Sequence, residues 1–289
     1  HTLSDNAAEL ARRQQDVSSG RRLHALSDDP AAAALVSGER TELAVTDRYQ
    51  QAADSVASRL SVVDVVLTTL IDQTTAAKVA AMSARGSITT ESQRNAVAEQ
   101  LLGIRDSVLS AATTQYRGTY LFSGNDATTA PWVLVVDPMS GAESVSGYNG
   151  TLTPIDVDID RQAAIQVAFD GEAVLGGAAE NLFKTLEDLA AAVRAGDVTA
   201  MAAGVAGLGT AFDRLTRTQS YVGSDLAAID TQRQQLGARK LAGQTRVSTL
   251  EDTNMAESIS AMNRADTAYR AALGAMSNTT RISLMDYLP

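Results

Sequence analysis

"SSGRRLHALSDDPAAAAL", Ser18–Leu35, sets a glycine and a basic pair ahead of two aspartates, a proline and a run of alanines. Gly20 can close a helix in a left-handed cap. Ser27 or Asp28 can cap the next helix, and with Asp29 they place carboxylates at its positive end. Pro30 suits a first helical turn, and the alanines propagate it. The stretch predicts a joint between a short terminal helix and a longer one, formed by Gly20, Asp28, Asp29 and Pro30. No ligand cradle is needed to explain it.

Beyond the joint, Ala53, Val56, Leu60, Val63, Leu67, Leu70, Thr74, Ala77, Ala81 and Ala84 alternate spacings of three and four. That is one apolar seam at heptad period, ended at Gly86. A second seam runs Val97, Leu101, Ile104, Val108, Ala111, and the polar residues between the two predict an antiparallel helix pair. "NLFKTLEDLAAAV" places Leu182, Leu186, Leu189 and Val193 on one face, before Gly196 and Asp197. From Val198 the alternation continues through Met201, Val205, Leu208, Phe212, Leu215, Gln219, Val222, Leu226, Ile229, Arg233 and Leu236. It falters near Gly237 and Gly243, then resumes in shifted phase at Met255, Ile259, Met262, Asp266, Tyr269, Leu273 and Met276. A helix over most of Val198–Met276 would span roughly 120 Å, which predicts a rod.

Between these helical arms, Ser123–Gly177 is rich in Gly, Pro, Thr, Asn and Asp. "PWVLVV", "TPIDVDID" and "AIQVAFDG" read as strands. The predicted fold is mainly α: a long antiparallel helical-bundle rod from the N- and C-terminal arms, with a small β-rich domain between them. The predicted domains are 1–30 (N-terminal core helix and joint), 31–122 (N-terminal rod arm), 123–177 (β-rich outer domain), 178–250 (C-terminal rod arm) and 251–289 (C-terminal core helix). Both chain ends then lie at one end of the rod.

Composition agrees with a thin bundle. Of 289 residues, 45% are apolar but only 4% aromatic, which suits narrow seams better than one thick core. The net charge of −10 argues against nucleic acid and against an anionic membrane surface. There is no cysteine, so disulfides and thiolate metal sites are excluded. No run approaches the ~18 uncharged apolar residues of a membrane span. No signal peptide is visible, and the opening without methionine predicts that the true N-terminus is missing or processed.

Little here suggests catalysis. His24, beside Arg21 and Arg22, reads as a solvated turn residue. "GVAGLGTAF" lacks the preceding strand of a dinucleotide fingerprint, so its glycines are read as admitting close helix packing. In "DVDID", Asp156–Asp160, the carboxylates share one strand face, and a calcium loop's glycine and bidentate glutamate are missing. The glycosylation sequons at Asn149 and Asn278 are too short a match to carry weight. No catalytic, cofactor or metal site is expected, and the chain is not expected to be an enzyme.

The residues also carry a resemblance. "SSGRRLHALSDDPAAAA" resembles the N-terminal signature of the flagellin superfamily, and its proline after the aspartate pair resembles the hook-associated protein 3 branch, the hook–filament junction proteins. "YRGTYLFSGNDATTAPW", "YNGTLTPIDVDIDRQ" and the ending "ISLMDYLP" are similar to the same branch, in order, over nearly the whole chain. The start is about 15–20 residues short of that pattern, and Pro289 trails it. The resemblance implies an extracellular flagellar protein, secreted through the flagellar type III pathway with an export chaperone. It implies a ring of copies between a sister junction protein, on the hook side, and flagellin. Flagellin itself, or a secreted adhesin using Ser123–Gly177, are the alternatives. The residues predicted to contact neighbouring subunits are Leu10, Val17, Ile259, Met262, Tyr269, Leu273, Met276, Leu284 and Leu288. Their stripes are expected to lack cover in an isolated chain and to fold when neighbours supply it.

Overall fold

The computed structural model describes residues 2–25, 27–84, 90–139, 141–153, 155–178 and 180–285, without the side chains of residues 2 and 278–285. In chain order the elements are α1 (Thr2–Ser19), α2 (Pro30–Ser83), α3 (Glu91–Ala112), β1 (Gln115–Tyr116), β2 (Thr119–Tyr120), β3 (Leu134–Val136), β4 (Glu143–Val145), β5 (Ile155–Asp160), β6 (Ala163–Ala168), α4 (Gly171–Leu175), α5 (Leu182–Ala195), α6 (Val198–Glu251) and α7 (Met255–Met285). The chain divides into two units. One comprises the segments up to Asp47 and from Gly237 onward; the other is Arg48–Leu236.

In the second unit every residue of the α2 seam from Ala53 to Ala84 is buried. Its one polar member, Thr74, satisfies its hydroxyl by donating to the Leu70 carbonyl at 2.7 Å. On α6 buried positions recur at every seventh residue, Met201, Leu208, Leu215, Val222, Ile229 and Leu236, with Ala211 buried between them. This is the spacing that keeps a helical stripe facing a partner. The intermediate positions are wetter. Phe212 is exposed, Gln219 donates to Asp64 and Thr68 of α2, and Arg233 pairs with Asp54 at 2.7 Å. As numbering rises on α6 its partners fall on α2, so the two helices run antiparallel. The N-terminal and C-terminal arms thus cover each other's seams.

Three departures from the expected helices have local causes. On α3 the buried residues are Ala98, Leu101, Ile104, Val108 and Ala112, while Val97 and Ala111 are half-buried. The seam is turned by a residue at both ends because α3 packs most closely on α5; Gly86 lies outside the described residues. Helix does not continue to 122: it stops at Ala112, and β1–β2 follows as a hairpin. Arg117 (φ 52°) and Gly118 (φ 81°) form its two-residue turn, the left-handed pair a tight hairpin requires. Nor is Val198–Met276 one helix; it breaks at 252–254. Gly243 is instead packed within α6, where a Cβ would lie 2.8 Å from Leu43 Cδ2.

Among the described residues the β segment forms three separate antiparallel hairpins, β1–β2, β3–β4 and β5–β6. On β5, Val157 is half-buried and Ile159 buried, while Asp156 and Asp158 are exposed. Asp160 instead accepts from Gln232 at 2.9 Å. Among the described residues no group of three or more His, Asp or Glu could hold a metal ion. Two arginines tie the hairpins to helices. Arg59 of α2 donates to Val167 O at 2.6 Å, Thr119 Oγ1 at 2.9 Å and Tyr120 O at 3.2 Å, and burial lowers its pKa. Arg105 of α3, fully buried, donates to Glu143 O at 2.9 Å and pairs with Asp106 and Glu187.

The scarce aromatics are concentrated here. Trp132 packs on Tyr148 at 5.2 Å and Phe183 at 5.3 Å between centroids, and Phe122 on Phe169 at 6.5 Å. The Tyr148 hydroxyl lies 3.0 Å from Phe122 O and accepts from Gly171 N–H at 3.2 Å. Burial raises its pKa. Gly171 has no room for a methyl: a Cβ would sit 2.5 Å from Trp132 Cη2 and 2.7 Å from Phe122 O. Gly171→Ala should therefore destabilise the Arg48–Leu236 unit by about 1–3 kcal/mol, read as a lower melting temperature with near-ultraviolet loss of Trp132 order. An unchanged melting temperature would contradict this packing.

Candidate assembly surface

The joint is built where four pieces of chain meet. α1 ends at Ser19, and Gly20 (φ 70°) turns the chain, its N–H donating to Asp16 O at 3.0 Å. The next residues cross the break between α6 and α7. Gly20 O accepts from Thr253 N–H at 3.0 Å, and Arg22 N–H donates to Glu251 O at 2.7 Å. Arg21 and Asp252 form a bridge, and Arg22 Nη2 donates to Leu250 O at 3.0 Å.

At the centre lies Glu251, the last residue of α6, whose carboxylate is buried. Arg40 of α2 approaches its two oxygens at 2.8 and 2.6 Å, and Arg21 lies at 3.1 Å. One carboxylate therefore ties the joint, α2 and α6 together. Removing it would leave two cations facing each other and sever the link.

The break itself has a chemical cause. Asp, Thr and Asn compete with helix for backbone hydrogen bonds. Asn254 Oδ1 accepts from Ala256 N–H at 3.1 Å, capping α7, and the Thr253 and Ser258 hydroxyls bond at 2.6 Å. The sequence reading looked for glycines and overlooked "EDTNMAE", a capping signal.

The aspartate pair divides its labour. Asp29 caps α2 by accepting from Ala32 N–H at 3.0 Å. Asp28 does not cap; it accepts from His24 and Ala25 N–H at 3.0 and 2.9 Å and pairs with Arg12 at 3.0 Å. Those two backbone N–H groups, Ala25 first, hold its carboxyl below the ordinary 3.8. His24 is not solvated: its Nε2 lies 2.9 Å from Asp16 Oδ1, and both are well covered.

α1 and α7 pack together, with the end of α1 beside the start of α7, so the pair is antiparallel. The expected bare stripe is therefore split. Leu10, Val17, Met262 and Tyr269 are half-buried, whereas Met255, Ile259, Leu273 and Met276 remain 41–58% exposed. Leu288 and the side chain of Leu284 lie outside the described residues. What sequence missed is that part of the stripe is covered by the chain's own α1. Covering the four exposed side chains would contribute on the order of 3–6 kcal/mol before ordering costs.

Comparison with known proteins places this geometry. Residues 1–127 match the family profile described as bacterial flagellin N-terminal helical region. Over 98% of this chain and 94% of the relative, it is 24% identical to flagellar hook-associated protein 3 of Escherichia coli strain K12. The first 127 residues are thus similar to flagellins, and nearly the whole chain is similar to a flagellar hook-associated protein 3. The protein of the same name from Salmonella typhimurium is 22% identical over 62% of this chain and 54% of its own length. Among solved structures, a flagellar hook-associated protein from Vibrio parahaemolyticus superposes with TM-score 0.70 at 18% identity, covering 78% of this chain and all of that one. Bacillus cereus FlgL gives 0.62 at 20% identity over 73% of this chain and 99% of its own. The shared fold is an arrangement of long helices with small β hairpins.

Two outcomes test the joint. Glu251→Ala should weaken it by about 1.5–3 kcal/mol, roughly 10–100-fold more opening, seen as faster tryptic cleavage after Arg21 and Arg22 with the Arg48–Leu236 unit unaffected. The depressed pKa of Asp28 means its stabilisation is complete above 3.8 and lost as pH falls through its lower folded value. Amide exchange at His24 and Ala25 should accelerate below about pH 4, and Asp28→Asn should remove that dependence. Unchanged cleavage in the first case, or a pH dependence retained in the variant, would contradict the assignments.

Proposed function

We propose that this chain is a structural joint of the bacterial flagellum, an adaptor ring that connects the hook, through a sister junction protein, to the flagellin filament. The observation that carries the reading is the match to hook-associated protein 3 along nearly the full length of both chains, which a shared flagellin-like N-terminal region alone would not give. The incompletely covered α7 stripe supports it. Copies of the chain, flagellin and the sister protein would finish its burial, so that assembly and final ordering proceed together. Head-to-tail contacts between copies close into a ring or wind into a tube. Export by the flagellar type III pathway with a chaperone, and an extracellular final location, belong to the same proposal. No catalytic role is proposed, and the relatives are flagellar structural proteins.

A strain lacking the gene should be non-motile and carry hooks without attached filaments. The full chain should restore both, and a chain ending before Met255 should restore neither while still folding its Arg48–Leu236 unit. Restoration by the truncated chain would overturn the role given to α7. A flagellin would instead elongate filament seeds by itself; the adaptor reading predicts that purified protein added to seeds does not.

A further inference from the structure

Arg117 stands where a tight turn favours other residues. It takes the first left-handed position of the β1–β2 turn, ahead of Gly118, and among the described residues it alone has positive φ without being glycine. Asparagine, aspartate or glycine fill such a position at least steric cost. A residue kept in a costly backbone conformation points to a use for its side chain. That side chain is exposed. Its guanidinium lies by the Tyr116 ring, Cζ 5.3 Å from the centroid, which steadies it at the hairpin tip. Among the described residues no carboxylate pairs with it. Between Arg105 and Lys184 the chain has two basic residues, Arg117 and Arg161, against ten acidic ones, so Arg117 is a positive tip on an acidic segment.

The matching feature lies on another element. Asp156 and Asp158 share the outward face of β5, and both are exposed. Nearby carboxylates are engaged: Asp160 accepts from Gln232, Glu143 pairs with Arg105, and Asp170 caps α4. Asp156 and Asp158 have no partner among the described residues. Alternate positions on a strand are ~6.8 Å apart. The two charges repel at that spacing, and one guanidinium seated between them reaches both.

We propose that Arg117 of one copy seats between Asp156 and Asp158 of the next, so that the β1–β2 tip and the β5 face form a head-to-tail contact between copies. Neither half complements itself: tip against tip brings like charges together, and so does face against face. The contact is therefore heterologous, and its repetition sets successive copies in one direction. The inference rests on the ring reading above and names surfaces for it. An exposed ion pair alone contributes little. This one sets orientation and register between copies, while burial of the α7 stripe supplies the larger share of affinity.

The chain has no cysteine, so introduced cysteines report the contact in assembled flagella. A long arginine side chain holds the two backbones too far apart for a direct disulfide, and a short bis-maleimide linker bridges the gap. Flagella built with the Arg117→Cys, Asp158→Cys chain should yield a ladder of covalent oligomers, and chains with either cysteine alone should yield none. Arg117→Asp should lower filament attachment about tenfold, with an unchanged melting temperature because aspartate also suits the left-handed position. Adding Asp156→Arg and Asp158→Arg to that chain should restore attachment. Flagella that contain the chain but give no ladder, attachment undiminished by Arg117→Asp, or no rescue by the reversed charges would each overturn this contact and leave the adaptor role standing. Absence of the chain from flagella would overturn the adaptor role and this contact with it.

Discussion

No long helix of this chain can cover its own apolar stripe. The stripes are narrow and built largely from alanine, valine and leucine, so each needs a partner running alongside for many turns. The chain supplies those partners from its opposite end: α2 lies against α6, and α1 against α7. The order of elements then dictates the rest. The β hairpins must fall in the middle of the sequence, because both ends are occupied in covering one another.

Two kinds of polar lock fix this arrangement where small side chains would leave it free to slide. In the Arg48–Leu236 unit, Gln219 engages Asp64 and Thr68, and Arg233 engages Asp54, setting α2 against α6 in one register. In the other unit Glu251 performs the task for three segments at once, held by Arg40 and Arg21. Lys240–Asp47 and Arg246–Glu39 add exposed pairs along the same helices, each contributing little alone. A buried carboxylate with two guanidinium partners outweighs them, because losing it leaves those cations uncompensated.

Periodicity made the helices legible. A heptad stripe constrains side-chain direction so strongly that each seam residue named on α2 and α5 is buried, although Phe183, Ala190 and Ala192 of α5 were not named. The hairpins were only partly legible. Three strands had β-branched runs, but β4, Glu143–Val145, has one apolar residue and exists because Arg105 and Glu187 hold it. The shifted phase at Met255 marked the break, but its cause was sought at the glycines rather than at Asp-Thr-Asn, whereas Gly243 serves packing and Asn254 serves capping. Gly20 and the aspartates near Pro30 were legible as helix punctuation, yet Glu251 was invisible: its meaning comes from Arg40 and Arg21, more than two hundred positions away. On α7 the larger apolar residues were legible, but no sequence pattern says that α1 covers the face with Ser258, Ala261, Met262 and Ala265.

The central claim is that the α1–α7 pair is completed by neighbouring subunits, whereas the Arg48–Leu236 unit is complete in the single chain. Hydrogen exchange of the dilute subunit, compared with the same protein assembled in flagella, addresses this directly. The account predicts that α7 amides from Met255 to Met276 exchange rapidly when free and become strongly protected on assembly, while those of Leu60–Leu70 and Leu208–Val222 are protected in both. Equal, strong protection of α7 in the free subunit would contradict it.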